Sequence, residues 1–166
     1  MDPLGAPLAW LVGGQVAGWL GVAFLGGTSN QAMREELAVR LARRLPAPPA
    51  SADFVGLSTT QHRSLADPHE DVGFLYLQPN GLSFWGEKYQ MHVPWQSIES
   101  IRSRPNVHTW LGLGGWIELV GVEHGTPFRL WIEPRASASA FANKSRRKAL
   151  LAELRSRHSE RSARTH

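Results

Sequence analysis

The sequence predicts a mainly β domain closed by one C-terminal helix and preceded by two further helices, the first of them a membrane span. Three observations carry this expectation. Leu8 to Gly27, "LAWLVGGQVAGWLGVAFLGG", holds no charged residue. From Asp53 to Pro134, short runs rich in β-branched and aromatic residues alternate with Gly, Pro and Asn about every ten residues, the spacing of strands and turns. After Pro134 there is no Gly or Pro through to His166, and the composition becomes that of a helix.

The apolar stretch is long enough to span. Twenty residues at about 1.5 Å each give about 30 Å, the thickness of a bilayer hydrocarbon core. Gln15 is its one strongly polar side chain, and its six glycines (13, 14, 18, 21, 26, 27) suit a spanning helix better than a soluble one. A secretory signal calls for positive charge ahead of the apolar run, whereas Met1 to Pro7 carries only Asp2. A core helix apolar on every side would need a large protein around it. Arg34, Arg40, Arg43 and Arg44 follow the stretch and nothing basic precedes it, so the expected topology is single-pass with the N-terminus outside and the remainder cytoplasmic, at the cell inner membrane. Trp10 is a candidate interfacial anchor, while Trp19 falls mid-span and suits helix packing. Gly14 and Gly18 form a small-xxx-small pair, extended by Ala17 and Gly21, that would let two spans approach and the protein self-associate.

Next, "TSNQAMREELAVRLARRL" reads as an amphipathic helix, with Ser29 or Asn30 as cap and Met33, Leu37, Leu41 and Leu45 repeating every four residues. Arg40, Arg43 and Arg44 are expected to rest on anionic lipid at roughly 1 kcal/mol each, with the leucines available for shallow insertion; a plain stalk or coiled contact is the competing reading. "PAPPASA", Pro46 to Ala52, ends the helix and makes a semi-rigid linker. The expected division is an anchor (1–27), a juxtamembrane helix (28–45), a linker (46–52), a β domain with its helix (53–158) and a basic, frayed tail (159–166).

Seven strands are expected in the β region. Phe54 to Ser58 is the first. "DVGFLYLQPNGLSFWGEKYQMHVPW" holds three, with turns at Pro79-Asn80-Gly81 and Gly86-Glu87-Lys88. Within it the apolar positions 89, 91, 93 and 95 alternate with Gln90, His92 and Pro94, as in a half-buried strand. "SIESIRSR" is a fifth, "TWLGLGGWIELVGVE" a long sixth bent at Gly112 to Gly115, and "PFRLWIE" a seventh after a His124-Gly125 turn. In the final helix Ser137 or Ser139 is the candidate cap. Ala138, Phe141, Ala142, Ser145, Ala149 and Ala152 share one face, Leu150, Leu151 and Leu154 lie elsewhere, and the pattern leaves the packing face open.

Charge is unevenly spread. Asp53 to Glu133 holds five Lys/Arg against nine Asp/Glu, a balance of −4, whereas Arg135 to His166 holds nine against two, a balance of +7. The chain has no cysteine, which excludes disulfides and thiolate metal ligands.

Seven antiparallel strands closed by a helix resemble the pleckstrin-homology superfold. The residues Gly73 to Ile101, "GFLYLQPNGLSFWGEKYQMHVPWQSIESI", are similar to the core of GRAM and bacterial PH-like domains: a Gly-x-Leu type strand, an Asn-Gly-Leu-x-Phe strand, then a Val-Pro-x-x-x-Ile transition in which Val93 and Trp95 end a buried strand and Ile98 and Ile101 return to the core. The resemblance covers about eighty residues and implies a seven-strand, partly open barrel capped by a C-terminal helix. It implies a binding module, not an enzyme, with protein or lipid head-group partners and no cofactor. Phosphoinositide-binding members present cations around the first hairpin loop, and the clearest hairpin here, Gln78-Pro79-Asn80-Gly81, has none.

Other constellations carry less. His62, Asp67, His69, Glu70 and Asp71 superficially suggest a Zn or Mn site, but their spacing fits no ligand pattern. "GLGGW" precedes a strand and is read as backbone geometry, not a phosphate loop. Glu118 and Glu133 fall at strand positions read as solvent-facing. Lys144, Arg146, Arg147, Lys148, Arg155, Arg157, Arg161 and Arg164 give the alternative function, a soluble nucleic-acid or polyanion binder, although no aromatic platform is interleaved with them. The leading expectation is a membrane-anchored PH-like module acting through a protein partner.

Overall fold

Alternation assigns each strand of the β region an inner face, and the strands form where it does so. The computed structural model describes Gly14 and residues 31–43, 51–59, 69–105, 109, 115–135 and 140–163. Among the described residues the order is helix α1 (31–42), β1 (Asp53–Ser58), β2 (Asp71–Gln78), β3 (Gly81–Gly86), β4 (Gln90–Pro94), a 3-10 turn (Trp95–Ser97), β5 (Ile98–Arg104), β6 (Trp116–Glu123), β7 (Thr126–Pro134) and α2 (Ala140–Ser162). Apart from Gly14, the apolar stretch 8–27 lies outside the described residues. Among those described, no helix is long and apolar enough to cross a membrane.

The fold is mainly β, one partly open antiparallel sheet in the order β4-β3-β2-β1-β7-β6-β5 with a C-terminal helix. All seven strands contribute to a single core that includes Val55, Leu75, Phe84, Val93, Ile101, Leu119 and Ile132, so the sheet must curl around it, leaving β4 and β5 as its edges. Two turns are set by local chemistry. Pro79 and Asn80 join β2 to β3, and His124 and Gly125, at φ 50° and 79°, form the paired positive-φ turn between β6 and β7 that matches strand twist.

Several boundaries differ from the pattern. Trp95 is buried as expected, but it opens the 3-10 turn and does not end the strand. Its indole Nε1 donates to the Gln78 carbonyl at 3.0 Å, which satisfies the polar edge of an otherwise apolar ring. Pro94 sits on edge strand β4, where a missing N–H costs nothing. Tyr89 precedes β4 and is exposed. Ile98 and Ile101 are both buried although three apart, because a register shift between Ile98 and Ser100 absorbs one residue. β6 begins at Trp116, just after Gly115 at φ 119°; residues 110–114, where a longer bent strand was expected, lie outside the described residues.

The packing face of α2 is the leucine one. Leu150 and Leu154 are fully buried against β5, β7 and the 3-10 turn, while Ala142, Ser145, Ala149 and Ala152 are exposed. Burying branched side chains removes more apolar area than burying alanines, which decides between the faces. The helix runs on to Ser162, beyond the point where fraying was expected.

Candidate functional site

Strand β1 is buried from end to end because its two faces are covered by different elements. By alternation, Val55 and Leu57 point into the main core, and Phe54 points the other way. Phe54 packs on Phe74 at 5.5 Å between ring centroids, and Leu37 and Leu41 of α1 close over the pair. Met33, Ala38, Ala52, Val72 and Trp85 border this second cluster. Leu37 and Leu41, expected to be available for shallow insertion into lipid, are seated here on the outer face of the sheet. The reason is the aromatic pair on the outer face of the sheet, which offers an amphipathic helix an apolar seat within its own chain. Leu45 lies outside the described residues.

The cations of α1 are thereby sorted. Arg40 bonds Glu36 within the helix and reaches Glu87 of the β3–β4 turn at 2.8 Å. Hydrogen bonding to Glu36, then the charges of Glu36 and Glu87, raise its pKa. Arg34 and Arg43 are exposed, and Arg44 lies outside the described residues. The turn that carries Glu87 is held from inside by Asp71, whose buried carboxylate accepts from the backbone N–H groups of Glu87, Lys88 and Tyr89 at 3.1, 3.0 and 2.7 Å. Gly14 is helical and exposed, and among the described residues nothing lies within 4 Å of where its Cβ would stand; Gly18, its partner in the expected self-association face, lies outside the described residues.

Two carboxylates read as solvent-facing are buried, a correction with a common cause. Glu118 is flanked on the same face by Arg104 at 2.8 Å and Arg129 at 3.8 Å, whose side chains cover it. Glu133 accepts the Gly115 N–H at 3.2 Å through Oε1 and meets His69 Nε2 at 3.1 Å through Oε2. The His69 ring lies on Gly56, where any Cβ would fall 1.9 Å from it, and against Trp116 at 4.9 Å. His69, Glu70 and Asp71 therefore diverge into separate tasks: His69 meets Glu133, Glu70 accepts from Thr59, and Asp71 holds the turn. His62 and Asp67 lie outside the described residues. Among those described, no cluster of metal-ligand residues occurs. No local motif marks these strand-to-strand partners.

The basic helix is also sorted. Arg146 makes a bidentate pair with Asp53 at 2.5 and 2.6 Å, a hydrogen bond that raises its pKa. Arg147 donates to Ser103, Arg155 donates to the Ile101 carbonyl, Arg157 pairs with Glu153, and His158 Nε2 meets the Ile98 carbonyl at 2.8 Å. Four of the cations proposed for polyanion contact, Arg146, Arg147, Arg155 and Arg157, fasten α2 to the sheet or to itself. The connection between β1 and β2 spans residues 59–70, so the cation-free hairpin 78–81 is the second connection, and the first contains Arg63, outside the described residues. The chain matches no family model and no curated protein.

Proposed function

We propose that this protein is a single-span, membrane-anchored module of PH-like type, its β domain on the cytoplasmic side of the inner membrane. It binds or positions partners without catalysing a reaction. The observation that carries this reading is the seat of α1: Leu37 and Leu41, ten and fourteen positions after the apolar stretch, pack on the sheet, so a span at 8–27 would hold the domain within reach of the bilayer. The antiparallel sheet order and the closing helix support the PH-like part, being the layout that the resemblance implies. A protein partner is favoured over a lipid head group because the region from Asp53 to Glu133 is acidic overall. Anionic lipid meets the arginines of α1, and Gly14 and Gly18 provide for a homo-oligomer through the span.

The polyanion-binding alternative has less behind it, because Arg146, Arg147, Arg155 and Arg157 already have partners within the protein. Membrane fractionation separates the two: the intact chain is expected in the pellet and to need detergent for release. Recovery in the high-speed supernatant would remove the anchor. A reporter fused after His166 is expected to be active only in the cytoplasm, and activity outside would reverse the topology.

A further inference from the structure

We infer that α1 is a two-position element whose single apolar face is shared between the outer seat on β1–β3 and an anionic bilayer surface, so that the membrane controls whether Phe54 and Phe74 are covered. This rests on the membrane-anchored reading. Amphipathicity is the first constraint. In proteins most of a helix's stability comes from packing its apolar face, so α1 needs an apolar surface under Leu37 and Leu41. Two such surfaces are within its reach. One is the seat it occupies on Phe54 and Phe74. The other is the bilayer, because the described part of α1 lies within four positions of Gly27 in the sequence.

The hold of the seat is modest. Two leucines are buried in it, and its polar tie, Arg40 to Glu87, is more than half exposed on both sides, at 58% and 52%, which makes it weak and salt-sensitive. On the membrane side the attraction is cumulative. Arg34, Arg40, Arg43 and Arg44 each favour an anionic surface by about fivefold, partly offset by Glu35 and Glu36. The tether permits the exchange, since residues 44–50, three of them proline, reach about 20 Å when extended, so α1 can lift while β1 stays paired to β2 and β7. Lifting uncovers an apolar strip of Phe54, Phe74, Val72 and Trp85 and strips Glu87 of its cation.

The absence of native cysteine makes the test direct. Val72 borders the seat, so Val72→Cys in the full chain reports its cover through reaction with a water-soluble maleimide. Val122→Cys, on the exposed side of β6, is the reference. Both variants are reconstituted in nanodiscs of phosphatidylcholine or of phosphatidylglycerol. The expected result is labelling of the Val72→Cys variant about tenfold or more faster in phosphatidylglycerol, with no lipid dependence in the Val122→Cys variant, and reversal by high salt or by Arg34→Glu with Arg43→Glu. Equal or slower labelling of the Val72→Cys variant in phosphatidylglycerol overturns the two-position inference while leaving the anchor intact. Failure of the chain to remain with the nanodiscs overturns the anchor and this inference together. A rise in both variants means general loosening and also overturns it.

Discussion

At Trp95 a buried ring and a buried hydrogen bond coincide, so truncation there loses packing and leaves the Gln78 carbonyl without its donor. Trp95→Ala is expected to cost about 3 to 5 kcal/mol in denaturant unfolding, and a loss below about 1 kcal/mol would contradict its burial. Gly56 illustrates a different constraint. Its strand geometry is ordinary, but the His69 ring occupies the place of a Cβ. Gly56→Ala is therefore expected to destabilise by about 1 to 3 kcal/mol through displaced packing, readable as a lowered denaturation midpoint with unchanged slope. Tyr76 adds a dependence on pH. Burial raises its phenol above the ordinary 10.0, partly opposed by a hydrogen bond to Ser83. The native state keeps that proton where the unfolded chain has begun to lose it, so this contribution is complete below pH 10 and is lost as pH rises through the native value. Tyr76→Phe is expected to flatten the alkaline fall in stability; an unchanged slope from about pH 9 to about pH 11 would assign that fall to other groups.

Among the elements, α1 and α2 are both fastened to β1, and neighbouring residues of that strand show how. Phe54 meets the leucines of α1, and Asp53 meets Arg146 of α2. Arg146→Met leaves a mostly buried carboxylate without its partner and is expected to cost about 1 to 2 kcal/mol, a figure reduced for the partly exposed guanidinium. The double change with Asp53→Asn should recover part of that loss in a mutant cycle, and strict additivity would show that the pair is not coupled. For α1 the expectation concerns solubility. A chain beginning at Ser51 lacks the cover of Phe54 and Phe74, so it is expected to self-associate or bind a hydrophobic dye, whereas one beginning at Asn30 should be monomeric by sedimentation. Equal behaviour of the two chains would mean that the seat contributes nothing.

For the whole molecule, the distribution of charge matters more than its sum. The basic C-terminal region lies against an acidic β region, and Arg146 with Asp53 is where the two are joined most closely. Deleting Met1 to Gly27 is expected to release the protein from membranes, since a few arginines give only reversible attachment that salt screens. The truncated form should bind anionic vesicles weakly and lose them at high salt in a pelleting assay. Salt-resistant binding would transfer the anchoring role to the β domain.

Local chemistry by itself determined the strand sequence, both tight turns, and the amphipathic and C-terminal helices. Period-two alternation, Pro-Asn-Gly, His-Gly and four-residue leucine spacing are each complete within a few consecutive residues. The burial of Trp95, Ile98 and Ile101 was legible for the same reason. What only the tertiary structure decided is where surfaces meet. Leu37 shows a helix that must bury a face but not that Phe54 and Phe74 receive it. Glu133 shows a polar strand position but not that His69, sixty-four positions earlier, closes over it. Arg146 shows a cation but not Asp53, its partner ninety-three positions away. Burial in each case depends on an element distant in the chain, and a pattern confined to one segment carries no information about what will cover it.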